Sequence, residues 1–456
     1  MPDESAPARP APAQLEAAQL EAAWSWALAW QRQRRVPGMA VVVTDRSRTL
    51  LAEVSGVADR AGMRPAADDQ RWQIGSISKA FTSIAVLQLQ EQGRLSVQDA
   101  VLDHLPWASH LHPGLALHHL MSHTGGLPNG SEWTPDSLLE SAVQGTVGTP
   151  QPPGHRYHYS NPGYELLGDV VEAVTGQPLE AYLEQHVMQP LGMSASSGSI
   201  LGEDRDRDVR GHRPPRDDVL WRGETEQVPD AFFPSCTADG AIVATPQDMA
   251  VYLRFLLAGA AGGVLDADGF AQLSARHVTA EGGWYGYGLR TEERDGRVVL
   301  GHGGGMVGMF ADVQVDRARG IGTCMLVNGH CDVWGATSYL LGVLSGVEVT
   351  EPSWPPSDPA DETTEDARHA PFVGLYRSYN PWMPTVRVVG SSEGLRLVDP
   401  VTGDGTELHP VSGTRFHVDH PDSPDVVDFA VDVDGRYQRL ELSGCVYGRV
   451  RRDPTS

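Results

Sequence analysis

The stretch WQIGSISK, Trp72 to Lys79, holds the only lysine among the 456 residues of the chain; every other basic residue is arginine. A replacement this complete points to a GC-rich coding bias, and it marks a position where arginine cannot serve. A guanidinium stays protonated at any useful pH, whereas a buried amine can be neutral and accept a proton. Ser76 precedes Lys79 by three positions, and Ile77, Ala80, Phe81, Ile84 and Leu87 recur at helical spacing until Gly93. A hydroxyl and an amine one helical turn apart project from the same face of a helix. Lys79 is thus placed to take the proton of Ser76 as that hydroxyl attacks a carbonyl, and the N-terminus of the helix favours the negative charge that develops. The bland alternative is an ordinary buried helix start with a surface lysine.

Outward from this helix the pattern divides the chain. Residues 22–30 read as a first core helix, and 39–43 and 50–54 as a hairpin around the polar turn Asp45-Arg46-Ser47. From about 96 to 265 the signals are mainly helical with long Pro/Gly loops, including helices over 161–174 and 248–258 and a charge-dense loop over 203–218. Strands return at 285–290, 298–300, 310–315 and 321–327 as an antiparallel meander, and a helix follows over 336–344. The fold class is α/β: a split antiparallel sheet with an all-helical insertion. Residues 1–14 read as a disordered tail, 15–349 as one catalytic domain, and 350–370, rich in Pro and acid, as a linker. Residues 371–456 alternate short strands with Gly and Asp turns at even spacing, which predicts a small antiparallel barrel of about eight strands.

Composition removes several function classes. With 35 basic against 59 acidic residues the formal net charge is -24, which repels phosphate backbones and anionic lipid, so neither nucleic acid nor membrane is an expected partner. Cys236, Cys324, Cys331 and Cys445 fall in no CxxC or Cys/His ligand spacing. They read as reduced thiols, and no metal or other cofactor is expected. His155 and His158 mimic a metal pair but lack a third ligand. The start of the chain shows no basic region followed by an apolar run, and nowhere do 18 consecutive apolar residues occur, so a cytoplasmic protein is expected.

Two further motifs carry chemistry. Tyr159-Ser160-Asn161 lies in a loop entered by Pro152, Pro153 and Gly154 and left by Pro162 and Gly163. A phenol beside the Ser76/Lys79 pair can shuttle a proton to a leaving group, and the Asn161 amide can hydrogen-bond a substrate carbonyl. His302-Gly303-Gly304-Gly305 follows the strand expected over 298–300. Gly303 and Gly304 would let a substrate backbone approach closely, and the Gly305 N–H would pair with that of Ser76 as an oxyanion hole. The alternatives are a turn with a half-buried tyrosine and a glycine-rich hairpin turn. His123, within SHTGGLP, reads as a structural loop residue, and Trp284, Tyr285 and Tyr287 as strand packing or cleft lining.

Ser-x-x-Lys, Tyr-Ser-Asn and His-Gly-Gly, in this order and at these separations, resemble the serine β-lactamase and penicillin-binding-protein superfamily, in its class C-like branch. WQIGSISK, LMSHTGGLP (Leu120 to Pro128) and the segment from Tyr159 to Gly168, followed by Val174-Thr175-Gly176 and Pro190 to Met193, agree with it. The resemblance spans about residues 36–346. It implies acylation of Ser76, proton handling by Lys79 and Tyr159, Asn161 as substrate ligand and His302 where many members have lysine. The tail resembles the lipocalin-like domain that follows the catalytic domain in some of these hydrolases, and Arg449 within it is a candidate ligand for a polar or anionic substrate group. His-Gly-Gly in place of Lys-Thr-Gly removes a permanent cation and a hydroxyl that would hold a β-lactam carboxylate. The resemblance therefore implies acyl transfer from a D-residue-containing peptide brought by a carrier protein, as in stand-alone penicillin-binding-protein-type thioesterases that release and cyclise nonribosomal peptides. A D-aminopeptidase or broad esterase is the alternative, and an inactive ligand-binding relative a remote one.

Overall fold

A computed structural model describes residues 15–130, 151–200, 207–354, 368–391, 394–442 and 445–450. The tail expected over 1–14 and most of the expected linker, 355–367, lie outside the described residues. After helix α1 (Ala17–Gln33) come β1 (Gly38–Thr44) and β2 (Thr49–Asp59). The hairpin between them is set by Asp45, whose carboxylate accepts the N–H groups of Ser47 at 2.7 Å and Arg48 at 2.8 Å. The sheet is completed by β3 (Arg64–Pro65), β4 (Val278–Ala280), β5 (Gly283–Tyr285), β6 (Arg290–Arg294), β7 (Arg297–Met306), β8 (Met309–Asp316) and β9 (Ile321–Val327). Its order is β3-β2-β1-β9-β8-β7-β6-β5-β4, antiparallel throughout.

The junction β1/β9, in register from Met39↔Val327 to Thr44↔Gly322, joins the two ends of the domain. Buried on both faces, β1 has no polar side to show, which is why GMAVVVT is a continuous apolar run. Met39, Val41 and Val43 pack with Trp30 of α1 and Leu340 and Leu341 of α5 (Val333–Leu344). Ala40 and Val42 face the opposite core, where helices α2 (Ser78–Glu91), α3 (Asn161–Thr175) and α4 (Pro246–Ala258) lie. The segment between the two halves of the sheet holds these helices together with two short ribbons, Trp72–Gln73 with Val243–Ala244 and His212–Arg213 with Val228–Pro229.

Three local readings are corrected. Ser76 does not open the long helix: it sits in a single 3-10 turn, Gly75–Ile77, that feeds α2. The strand expected over 298–300 runs on through His302 to Met306, because β8 pairs with it as far as Met306↔Met309. The strand expected over 285–290 is broken into β5 and β6, since the chain at Gly288 passes over the start of α2, where a Cβ would lie 2.5 Å from Ala80 N.

The C-terminal part is a closed barrel of eight strands: β10 (Gly374–Arg377), β11 (Thr385–Gly390), β12 (Leu395–Val398), β13 (Gly405–Ser412), β14 (Arg415–Val418), β15 (Val426–Val433), β16 (Arg436–Leu442) and β17 (Cys445–Arg449). Each strand pairs with the next, and β17 returns to β10. Its interior is filled by Tyr376, Val388, Phe416, Phe429 and Leu440, with the Phe372 ring 4.9 Å from that of Phe429. Arg449 is a correction to the sequence reading. Its guanidinium donates to the carbonyls of Pro371 at 3.3 Å, Tyr437 at 3.0 Å and Val373, which ties the chain entering the barrel to its last strands and keeps the group away from the cleft.

Candidate active site

Ser76 reaches the cleft because Gly75 adopts φ +53 immediately before it, a conformation that favours glycine. Lys79, fully buried, points back at it. Its Nζ lies 3.0 Å from Ser76 Oγ, 2.8 Å from Asn161 Oδ1 and 3.0 Å from the Asp239 carbonyl. These three contacts suit both protonation states. An ammonium donates to all three; a neutral amine donates to the two carbonyl-type oxygens and receives the Ser76 proton on its lone pair. The proton can thus cross without movement of the side chain. Burial alone would raise the Asp239 carboxyl, but Lys79, with Nζ 3.7 Å from Oδ2, and hydrogen bonds including that of Thr237 hold it below the ordinary carboxylate value. Asp239 was missed in the sequence because SCTADG carries no recognisable pattern.

Asn161 is the first residue of α3, and Ser160 caps that helix by accepting the Gly163 N–H at 3.2 Å. The cap makes Tyr-Ser-Asn a rigid unit in which Tyr159 stands over Lys79, Nζ being 4.9 Å from the ring centre. His123 covers Tyr159, with ring centres 4.2 Å apart. Its backbone is left-handed, φ +55, a cost accepted only where surrounding bonds enforce it.

Those bonds determine the tautomers. The Ser160 N–H donates to His123 Nδ1 at 3.1 Å, so the His123 proton sits on Nε2, 3.1 Å from the Tyr285 hydroxyl. At the far end, His302 Nδ1 faces the Gly303 carbonyl, which can only accept, so His302 Nε2 takes the Tyr285 proton at 2.9 Å. The chain Ser160 → His123 → Tyr285 → His302 → Gly303 therefore runs in one direction with both imidazoles neutral. Burial pushes His302 down to about 3, the Gly303 carbonyl opposing and Lys79 assisting, and burial with Lys79 and His302 lowers His123 likewise. His302 replaces the lysine of the related motif with a neutral ring that meets Tyr285. His123, read in the sequence as a structural loop residue, and Tyr285, read as strand packing or cleft lining, stand one layer behind the reacting groups.

Beyond Gly301 the edge of β7 is left unpaired by β6, whose last partner is Arg290, and this edge lies against the Ser76 turn. A Cβ on Gly304 would fall 1.9 Å from the Ile74 carbonyl and 3.2 Å from Ser76 N; one on Gly75 would fall 2.6 Å from Gly305 N. That closeness sets the Ser76 turn against the Gly304–Gly305 backbone, the neighbourhood that the expected pair of N–H donors for a tetrahedral oxyanion requires. Gly303 points the other way, toward Trp334 Nε1, and neither it nor Gly304 is among the described residues that wall the cavity. Gly304 is thus packed against the Ser76 turn and Gly303 against Trp334.

Ser76, Tyr159, Asn161 and Gly305 open on one cavity of about 420 Å³. Phe233, Met306, Phe310, Trp382 and Met383 give it apolar walls, and the last two come from the barrel loop between β10 and β11. The barrel is pinned on both flanks of the cleft. Thr385 Oγ1 donates to Asp217 at 2.9 Å and Arg387 to the Asp218 carbonyl at 2.6 Å on one side; His158 Nε2 donates to Asp425 at 3.0 Å on the other. Among the described residues no group of three or more His, Cys, Asp or Glu side chains could hold a metal ion, and no helix is long and apolar enough to cross a membrane.

A family model described as Beta-lactamase matches residues 13–333. The chain is 28% identical over 380 residues to Penicillin-binding protein 4 of Amycolatopsis lactamdurans, covering 76% of this chain and 95% of that protein. It is 32% identical over 185 residues to Esterase EstB of Burkholderia gladioli, covering 36% of this chain and 47% of the esterase. Among solved structures, the octameric penicillin-binding protein homologue from Pyrococcus abyssi superposes with a TM-score of 0.65 at 20% identity, over 94% of this chain and 99% of that one. SurE superposes with a TM-score of 0.62 at 20% identity, over 95% and 99%.

Proposed function

The chain belongs to the Beta-lactamase family, as a serine hydrolase of the β-lactamase and penicillin-binding-protein type, and on that premise we propose that it is a stand-alone thioesterase that releases and cyclises nonribosomal peptides. Ser76 takes the peptidyl group from a thioester, Lys79 and Tyr159 move the proton, Ser76 and Gly305 N–H groups hold the oxyanion, and the amine of the same peptide resolves the acyl-enzyme. The observation that carries this reading is the barrel loop at the cleft, whose Trp382 and Met383 line the same cavity as Ser76. Apolar groups beside the ester would limit water there and let a held amine compete, since orientation is worth about 7 kcal/mol or more in effective concentration. A neutral His302 supplies no cation where the related motif has lysine, and the arginines that line the cavity, Arg213 and Arg216, are paired with Asp230 and Asp218, which favours a donor that is already activated. SurE, whose fold this chain shares, has been solved with D-Leu, in keeping with a D-residue at the acylating end. Delivery by a carrier protein goes with a cytoplasmic location.

The likeness to Esterase EstB favours a second reading, a broad esterase or D-aminopeptidase. Synthetic peptide thioesters ending in a D-residue separate the two, with linear and cyclic products resolved by mass. Cyclic product is expected. Uniform hydrolysis of all of them, together with rapid cleavage of simple D-aminoacyl amides, would favour the second reading.

A further inference from the structure

The Tyr159–Asn161 unit is held by two backbone segments, and both end on one barrel carboxylate. The Asn161 N–H donates to the Asn129 carbonyl at 2.9 Å, and the Asn129 N–H donates to Asp425 Oδ1 at 3.0 Å. On the other side His158, adjacent to Tyr159, donates its own N–H to the His123 carbonyl at 2.7 Å and its Nε2–H to Asp425 Oδ2 at 3.0 Å. Asp425 and His158 are 7% and 9% exposed, so these bonds face little competition from water. Asp425 is itself fixed within the barrel, where its carbonyl accepts the Val418 N–H at 3.0 Å and its N–H donates to Ser423 Oγ at 3.2 Å. A rigid carboxylate at the start of β15 thus spans both ends of the tripeptide that carries Tyr159 and the Lys79 partner Asn161.

The geometry points to Asp425 as a positioning residue for acyl transfer: the barrel does more than wall the cleft, because through this carboxylate it sets where Tyr159 and Asn161 stand relative to Ser76 and Lys79. Asp425 does not itself line the substrate cavity, so removing it takes no group from the cavity wall while loosening the proton-handling groups. The signature is a fall in kcat with KM nearly unchanged. The inference rests on the acyl-transfer reading above, and its test uses the full chain with a short-chain p-nitrophenyl ester.

Asp425→Ala should lower kcat about 10- to 100-fold, the scale of a misplacement near 1 Å, with KM within about threefold of wild type. His158→Phe removes the bond from the catalytic side and should reproduce part of that loss, and the double variant should fall short of the product of the two effects, as coupled partners do. Because His158→Phe leaves the barrel sequence untouched, the worth of the His158–Asp425 bond is read even if Asp425→Ala folds poorly. Gln151→Ala and Arg387→Ala cut other barrel contacts, to the Asp422 and Asp218 carbonyls, and should leave kcat unchanged. Equal losses in these two controls would mean that any weakening of barrel docking suffices, and would overturn the positioning role. So would unchanged kcat in both Asp425→Ala and His158→Phe while wild type turns the ester over. A wild-type chain inert to the ester and to fluorophosphonate at Ser76 would instead remove the acyl-transfer reading, and this inference with it.

Discussion

Lys79 spends its amine on three oxygens within 3.0 Å and has no exposed surface. Lys79→Arg keeps a positive charge but brings a planar group that cannot become neutral and cannot meet those oxygens in the same tetrahedral arrangement. It should lower acylation of Ser76 about 100- to 10,000-fold, the usual worth of a positioned general base. Intact-mass spectrometry with an activated ester reads this directly, with Ser76→Ala as the blank: an adduct persisting in Ser76→Ala would remove Ser76 as nucleophile. His302 titrates with a defined sign. Burial holds it to about 3 against an ordinary 6.5, so between these values the unfolded chain binds a proton that the folded chain refuses, and stability falls as pH drops through the window. His118 and His330, each lowered to about 4 by burial, act in the same direction. Tm followed from pH 7 downward should fall less steeply in His302→Gln, which keeps an acceptor for the Tyr285 hydroxyl, and identical slopes would contradict a neutral buried ring.

Strand β7 shows how an element can be half legible. Two neighbouring glycines look equivalent in His-Gly-Gly-Gly, yet alternation along the strand gives them opposite faces. Gly304→Ala would drive a Cβ to 1.9 Å from the Ile74 carbonyl, a backbone atom that cannot turn aside. β7 must then back away from the Ser76 turn and open the oxyanion site, so acylation should fall about 100-fold. Gly303→Ala meets the five-membered ring of Trp334, a residue 44% exposed and able to swing out, and should keep most of the wild-type rate; equal losses would refute the strand–turn contact. Runs with a clear period, such as 321–327 and 395–398, were readable to the residue because burial on both faces or strict alternation writes itself into composition. Ser76/Lys79 and Tyr159–Asn161 were each readable as units because short-range spacing fixes them, and the resemblance, through the order and separation of the motifs, joined the two across 82 positions. His123, Tyr285, Asp239 and Asp425 were not, because each matters through partners from 17 to 296 positions away, and no local pattern announces such a contact.

At the scale of the whole molecule the decisive feature is a cavity that neither domain makes alone. The catalytic part supplies Ser76, Tyr159 and Gly305, and the barrel supplies Trp382 and Met383 from a loop whose backbone is fixed where the Asn380 side chain accepts the Trp382 N–H at 2.8 Å. Chemistry at Ser76 would proceed to the acyl-enzyme without that wall, but the fate of the ester depends on what can reach it. Trp382 is the largest apolar group the barrel places there, and it also packs against the main core, so on the cyclising reading proposed above it would both displace water and narrow the space in which a peptide folds back on its own ester. Trp382→Ala should therefore leave the acylation rate with a small p-nitrophenyl ester close to wild type. With a peptide thioester it should shift the products from cyclic toward linear, because water gains access while the amine loses its guide. Single-turnover acylation and product ratio by mass spectrometry are read on the same preparation. An unchanged ratio would mean that the acceptor is positioned by the catalytic domain alone, and a parallel loss of acylation would mean that Trp382 supports the nucleophile rather than the partition of its ester.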